Sequence, residues 1–128
     1  MARRVLAARG RMLGAGAPPL LVIGPRPLRP VLAAQAALEP LPFTFVDCAS
    51  TEAGAPDAGC GGAAVSAALA AAELASLTSV RVVHCAHAFG VVLVGRAGWK
   101  LAFSGDTRPC DALVRRARAP APRDAREA

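Results

Sequence analysis

The chain has 128 residues and a mass of 13.0 kDa, the size of one small domain. Its 54% hydrophobic residues and mean hydropathy of +0.39 exclude a wholly disordered polar chain. The net charge is +6, with arginines concentrated before residue 30 and again from Arg115, and this balance favours a polyanionic partner such as nucleic acid. No apolar run approaches the roughly 20 residues of a membrane-spanning helix, which excludes a transmembrane protein.

The cysteines and the amino terminus bear on the cellular compartment. Four cysteines occur without a CxxC pair, so we expect reduced, mostly buried thiols in an intracellular protein rather than a disulfide framework. The first 19 residues are rich in arginine and lack acidic residues, as mitochondrial transit peptides do. The alternative for this segment is an amphipathic helix that includes Val5 and Leu13.

The predicted elements follow in chain order after that opening helix. Short apolar runs predict strands at residues 20–23, 43–46, 80–84, 91–94 and 99–103. Proline-initiated or alanine-rich segments predict helices at residues 27–39, 63–77 and 111–116. The order βαβα followed by βββα predicts an α/β sandwich layer with a mixed sheet.

Two side chains are candidate metal ligands. His84 ends a predicted strand, and Asp106 follows a Ser-Gly step at the end of the hairpin that comes next. One imidazole and one carboxylate suit zinc. From the residues alone, a hydrogen-bonded structural histidine and a turn or helix-capping aspartate remain alternatives.

A second metal interpretation uses the thiols, with Cys85 and His87 joined by Cys60 or Cys110 in a structural zinc site. The CxxC or HxxxH ligand pairs typical of such sites do not occur here. We therefore interpret Cys85 as a small buried hydrophobic residue. Trp99 and Phe103 are likewise expected in the core of the hairpin rather than in a base-stacking role.

The segment at residues 80–115 carries HCxHAFG, GWK, SGDT, PC and ALVR in that order. This series resembles the catalytic half of the long-form tRNase Z (ribonuclease Z) family, which belongs to the metallo-β-lactamase superfamily. The similarity extends over residues 5–116 and is weakest at 49–75. The resemblance implies a partial metallo-β-lactamase αββα sandwich at residues 1–116, and we expect a disordered tail at residues 117–128.

The resemblance also implies an activity. Enzymes of this family remove the 3′ trailer from precursor tRNA in the mitochondrion or nucleus, with two zinc ions and a metal-bound hydroxide that attacks the phosphodiester. By this similarity His84 is a ligand of one zinc and Asp106 bridges both. His87 lies in the same motif but is not the ligand in the family pattern, and no further catalytic residue is implied.

Departures from the family pattern limit these expectations. The family's HxHxDH cluster and its substrate-gripping arm are absent, and the chain has two histidines where the full site uses about five ligand histidines in all. Residues 116–128 also lack the strand with a His-Glu pair that the family carries there. We expect a fragment of the enzyme that is inactive alone and does not hold the two zinc ions. The alternative is a non-catalytic truncated isoform or pseudogene-like product that at most binds RNA or a protein through its arginines.

Overall fold

The two sheets of an α/β fold organise this chain. A computed structural model describes residues 19–38, 42–55 and 62–120. The elements in chain order are β1 (Leu20–Gly24), α1 (Leu28–Leu38), β2 (Phe43–Asp47), a 3-10 helix (Cys48–Thr51), α2 (Gly62–Ala71), β3 (Leu74–Arg81), β4 (Phe89–Gly95), β5 (Lys100–Phe103) and α3 (Asp111–Arg118). The predicted α/β class and order of elements are confirmed.

The pairing of the strands differs from the prediction. β1 and β2 pair in parallel, whereas β3, β4 and β5 form an antiparallel sheet in that order. Parallel and antiparallel pairings therefore lie in separate sheets rather than in one mixed sheet. Helix α1 supplies the crossover that a parallel pair requires, and its Leu32 is buried.

The antiparallel sheet has two different faces because alternate residues of a strand point to opposite sides. On one side, Val92 and Val94 are 2% and 4% exposed. Leu113 of α3 lies on this side, where it approaches Gly90 closely enough that a Cβ there would meet its side chain at 3.3 Å. On the other side, Leu77, Val91 and Leu93 line a cleft, and residues of β1 and the 3-10 helix also line it.

The predicted helix at residues 63–77 was wrong at its carboxyl end. Helix α2 ends at Ala71, Glu73 adopts a left-handed backbone with φ of 55°, and residues 74–77 begin β3. Their alanine and leucine content favours a helix locally, but pairing with β4 from Gly95 to Leu93 outweighs that weak preference. At its other end β3 stops at Arg81, so His84 lies beyond the strand instead of ending it.

The hairpin aromatics are more exposed than predicted. Trp99 and Phe103, expected in the core, are 47% and 64% exposed, because β5 is the edge strand of the described sheet. Trp99 lies over Gly95, where any side chain would collide with its ring.

Helix α3 continues to Arg118, beyond its predicted end at residue 116. The predicted opening helix and residues 121–128 of the predicted tail lie outside the described residues. None of the described helices has the length and apolar character needed to cross a membrane.

A buried hydrogen bond joins the two halves of the fold. Thr51 ends the 3-10 helix and Ser79 lies in β3; they are 6% and 3% exposed, and their hydroxyl oxygens are 2.8 Å apart. Thr51 donates its hydroxyl proton to the carbonyl of Cys48 at 3.0 Å, so Ser79 is the donor to Thr51. An isolated parallel bridge between Glu52 and Ser79 lies beside this bond.

Thr51→Val tests this connection because valine keeps the shape of threonine and removes only its hydroxyl. The hydroxyl of Ser79 then loses its buried acceptor, which lowers the free energy of unfolding by about 1–3 kcal/mol. Urea unfolding followed by circular dichroism measures the change. Ser66→Ala, an exposed change on α2, is the control and should stay within about 0.5 kcal/mol of the parent; equal losses in both variants would contradict the role of the bond.

Candidate functional site

Two loops meet at one end of the antiparallel sheet. Because neighbouring strands run in opposite directions, β3 and β5 both terminate at the end of the sheet where β4 begins. The pairs Arg81–Phe89 and Val91–Phe103 show this. The loop after β3 carries His84 and the loop after β5 carries Asp106. The topology therefore brings the two predicted ligands to the same end of the antiparallel sheet.

Backbone hydrogen bonds close the His84 loop. The amide of Val82 donates to the carbonyl of Ala88 at 3.2 Å, which shuts the turn at its base. Inside the turn, the amide of Ala88 donates to Cys85 and that of His84 donates to Val82, at 3.1 and 3.2 Å. Main-chain hydrogen bonds thus hold this loop in place, although the side chain of His84 is exposed.

The Asp106 loop is tied to the His84 loop through Thr107. The hydroxyl of Thr107 accepts the amide of Val83 at 3.0 Å and donates to the carbonyl of Arg108 at 2.8 Å. The amide of Arg108 in turn donates to the carbonyl of Val83 at 2.9 Å. Gly105, with φ of 60°, takes the left-handed conformation that this turn requires and glycine tolerates. Thr107 was not singled out in the sequence, although its place directly after Asp106 in the SGDT motif was a usable signal.

Both candidate ligands line one cleft of about 620 Å³. His84, His87 and Asp106 contribute its polar groups together with Ser79 and Cys48, while its remaining walls are largely apolar. The lining residues are Ile23, Gly24, Pro25, Cys48, Leu77, Ser79, His84, His87, Ala88, Phe89, Gly90, Val91, Leu93 and Asp106. A concave, mainly apolar site with a few polar groups is the usual form of a ligand or catalytic site.

The electrostatics of the cleft favour a charged imidazole. A hydrogen bond with the Cys85 thiol raises the pKa of His84, and the negative charge of Asp106 adds to the rise. The same hydrogen bond lowers the pKa of Cys85. Zinc binds the neutral imidazole, so these neighbours would oppose zinc binding at His84.

The donor set is smaller than a zinc centre requires. A catalytic zinc normally takes three protein ligands and one water, whereas His84 and Asp106 supply two donors. Across residues 19–38, 42–55 and 62–120, no three His, Cys, Asp or Glu side chains lie close enough together to hold a metal ion. These two residues therefore fit one part of a zinc site and not a complete one.

The thiols differ from the sequence-based expectation. Cys85 is exposed rather than buried, because it lies in the loop beyond β3, and Cys110 is half-buried. Cys48 is buried and lines the cleft. Cys60, one of the alternative zinc ligands, lies outside the described residues.

Comparison with known proteins gives named relatives. No family model matches the chain. Zinc phosphodiesterase ELAC protein 2 of Homo sapiens is 49% identical over 51 residues, which are 40% of this chain and 6% of that protein. The Arabidopsis thaliana protein tRNase Z TRZ3, mitochondrial, is 33% identical over 160 residues, covering 90% of this chain and 18% of the plant protein. A second Arabidopsis protein, tRNAse Z TRZ4, mitochondrial, is 29% identical over 165 residues, with 87% and 18% covered.

These matches cover only a small part of each relative. The chain spans less than a fifth of the length of the curated relatives it matches. The aligned lengths of 160 and 165 residues also exceed the 128 residues of the chain, so the plant proteins have residues within the aligned region that this chain lacks.

The buried thiol of Cys48 gives a testable pH dependence. Burial raises the pKa of Cys48, the neighbouring hydroxyl of Ser79 opposes part of this rise, and the charge of Asp47 adds to it. As pH rises through the ordinary thiol range near ~8.5, the unfolded chain loses this proton before the folded chain does. The contribution of this thiol to the free energy of unfolding is therefore fully present below that range and is lost as pH rises above it. Urea midpoints measured from about pH 8 to 10.5 should fall less steeply for Cys48→Ala than for the parent, and parallel curves would contradict the assignment.

Proposed function

Because the chain belongs to the tRNase Z family, we propose that it is part of a nuclease that removes 3′ trailers from precursor tRNA. The observation that carries this proposal is the placement of His84 and Asp106. They lie on two loops joined through Thr107 and line the same cleft, in the HCAHAFG and SGDT segments that resemble the family. The names of the Arabidopsis relatives support a mitochondrial location, and a nuclear location remains the second expectation from the resemblance.

The proposed roles follow from the donor chemistry of the two side chains. His84 offers one imidazole nitrogen to a single zinc, whereas the two oxygens of Asp106 suit a carboxylate that bridges two zinc ions. The bond from the Val83 amide to Thr107 keeps the two loops together, so Thr107 is proposed as a positioning residue. His87 lines the cleft as well but is proposed to take no zinc.

We propose that the chain by itself neither holds two zinc ions nor cuts RNA. Two donors leave a zinc ion short of the three protein ligands that catalytic sites use. Further ligands must then come from polypeptide other than the described residues. The alternative function, a non-catalytic product that binds RNA or a protein, shares this expectation of inactivity, and metal binding at His84 separates the two.

Zinc binding by the purified chain gives the first test. Competition with a chromogenic chelator should show no tightly bound zinc pair, but a weak site that His84→Ala and Asp106→Ala each weaken by about tenfold or more. His87→Ala is the matched control, since it removes an imidazole from the same cleft, and should change zinc affinity less than about twofold. Equal effects of the two histidine changes, or two tightly held zinc ions in the parent chain, would refute these roles.

The role of Asp106 is tested in a complete tRNase Z. Its corresponding segment is replaced by residues 80–116 of this chain, and cleavage of precursor tRNA is measured. Loss of a residue that merely orients a metal ligand costs roughly 10–100-fold, so loss of the bridging ligand itself should exceed about 100-fold. Asp106→Ala should therefore abolish release of the 3′ trailer in a gel assay, while tRNA affinity, which rests on phosphate contacts, stays within about threefold.

Circular dichroism of the same enzyme accompanies the assay. A folded Asp106→Ala enzyme that retains most of its turnover would overturn the bridging role. A variant that loses activity only because it unfolds would equally return Asp106 to the alternative of a turn residue.

A further inference from the structure

A second cavity, of about 420 Å³, shares the lining residue Ser79 with the cleft. The end of β3, the turn after the 3-10 helix and helix α3 form its walls. We call it the arginine pocket, and its lining residues are Glu52, Ala53, Ser79, Val80, Arg81, Ala112, Arg115 and Arg116. Three arginines and one glutamate are among these residues, which gives the lining a net positive charge.

Contacts with the fold hold two of these arginines in place. The Nε atom of Arg81 lies 2.9 Å from a carboxylate oxygen of Glu52, and its guanidinium carbon lies 4.9 Å from the centre of the Phe89 ring. Arg116 donates from Nη2 to the hydroxyl of Thr78 at 2.8 Å. Fixing a guanidinium before a ligand arrives reduces the entropy lost on binding.

The carboxylate of Glu52 does not cancel this charge. Arg81 pairs with it, and the side chain of Arg81 is still 58% exposed, so part of that guanidinium remains available to a ligand. Arg115 and Arg116 come from α3, which carries a third arginine, Arg118, in its last turn. Arginine's planar fork matches the oxygens of a phosphate group, to which it donates two parallel hydrogen bonds.

We propose that the arginine pocket binds a phosphate group of an RNA backbone. The proposal rests on the proposed function only in taking RNA as the polyanion, since it requires neither zinc nor cleavage. The pocket and the cleft share Ser79 as a wall, and the half-buried Cys110 in the Asp106 loop contacts the carbonyl of Arg81 at 3.7 Å. The two proposed sites therefore adjoin each other in the fold.

Fluorescence anisotropy with a labelled single-stranded RNA of about 16 nucleotides tests this site. The full chain is titrated in EDTA, at salt concentrations between about 50 and 200 mM. Arg115→Gln/Arg116→Gln should weaken RNA binding by about tenfold or more. If the pocket holds one phosphate, the negative slope of log affinity against log salt should become shallower by about 0.7 for a single strand.

The matched control removes the same charge elsewhere. Arg26→Gln/Arg29→Gln lies at the exposed start of α1 and should weaken binding less than about threefold. Arg115→Gln alone leaves the Arg116–Thr78 bond intact and should still weaken binding by about threefold or more. This single variant keeps the test valid if the double variant fails to fold, as judged by circular dichroism.

Three results would overturn the pocket as an RNA phosphate site. They are equal losses in the two double variants, no RNA binding by the parent chain, and full displacement of RNA by low-millimolar inorganic phosphate at constant ionic strength. The titration in EDTA depends on neither His84 nor Asp106, because those residues lie outside the pocket. Failure of the nuclease proposal in its zinc and cleavage tests therefore leaves this result unchanged, and failure here leaves those tests standing.

Discussion

The hydrogen bond between Thr51 and Ser79 is the contact on which the rest of this structure depends. It is buried, and it joins the 3-10 helix after the parallel strands to the first strand of the antiparallel sheet. A two-stranded sheet is marginal by itself in water, so the parallel pair needs packing against its neighbours. Ser79 also lines both the cleft and the arginine pocket, so this contact fixes a residue that the two polar sites share.

The candidate site lies where the loops after β3 and β5 meet, and hydrogen bonds hold these two loops together. His84 and Asp106 are exposed, so burial does not hold them; hydrogen bonds between their loops at Val83, Thr107 and Arg108 do. This arrangement leaves the two donors accessible to a metal or a phosphodiester while keeping them at one edge. The cleft and the arginine pocket both have Ser79 as a lining residue, so the proposed metal ligands and the proposed phosphate site lie in adjoining cavities.

Local patterns were sufficient to predict much of this architecture. Apolar runs, prolines and the glycine-containing turn at residues 95–98 mark the elements and their order, because these signals act within a few residues. They also placed His84 and Asp106 after the first and third strands of a run of three, and two such strands end on the same side of the sheet when the middle strand pairs antiparallel with both. The candidate ligands were therefore predictable, although their roles as ligands stay a prediction.

What the sequence determined by itself is thus the α/β class, the order of elements and the two candidate donors, all of which rest on local signals. Tertiary structure decided what depends on distant partners. Pairing with β4 made residues 74–77 a strand against their helical preference, and the edge position of β5 left Phe103 exposed. The gathering of Arg81 with Arg115 and Arg116 around one pocket likewise follows from packing α3 on the sheet, because contacts between residues so far apart in the chain leave no periodic trace in it.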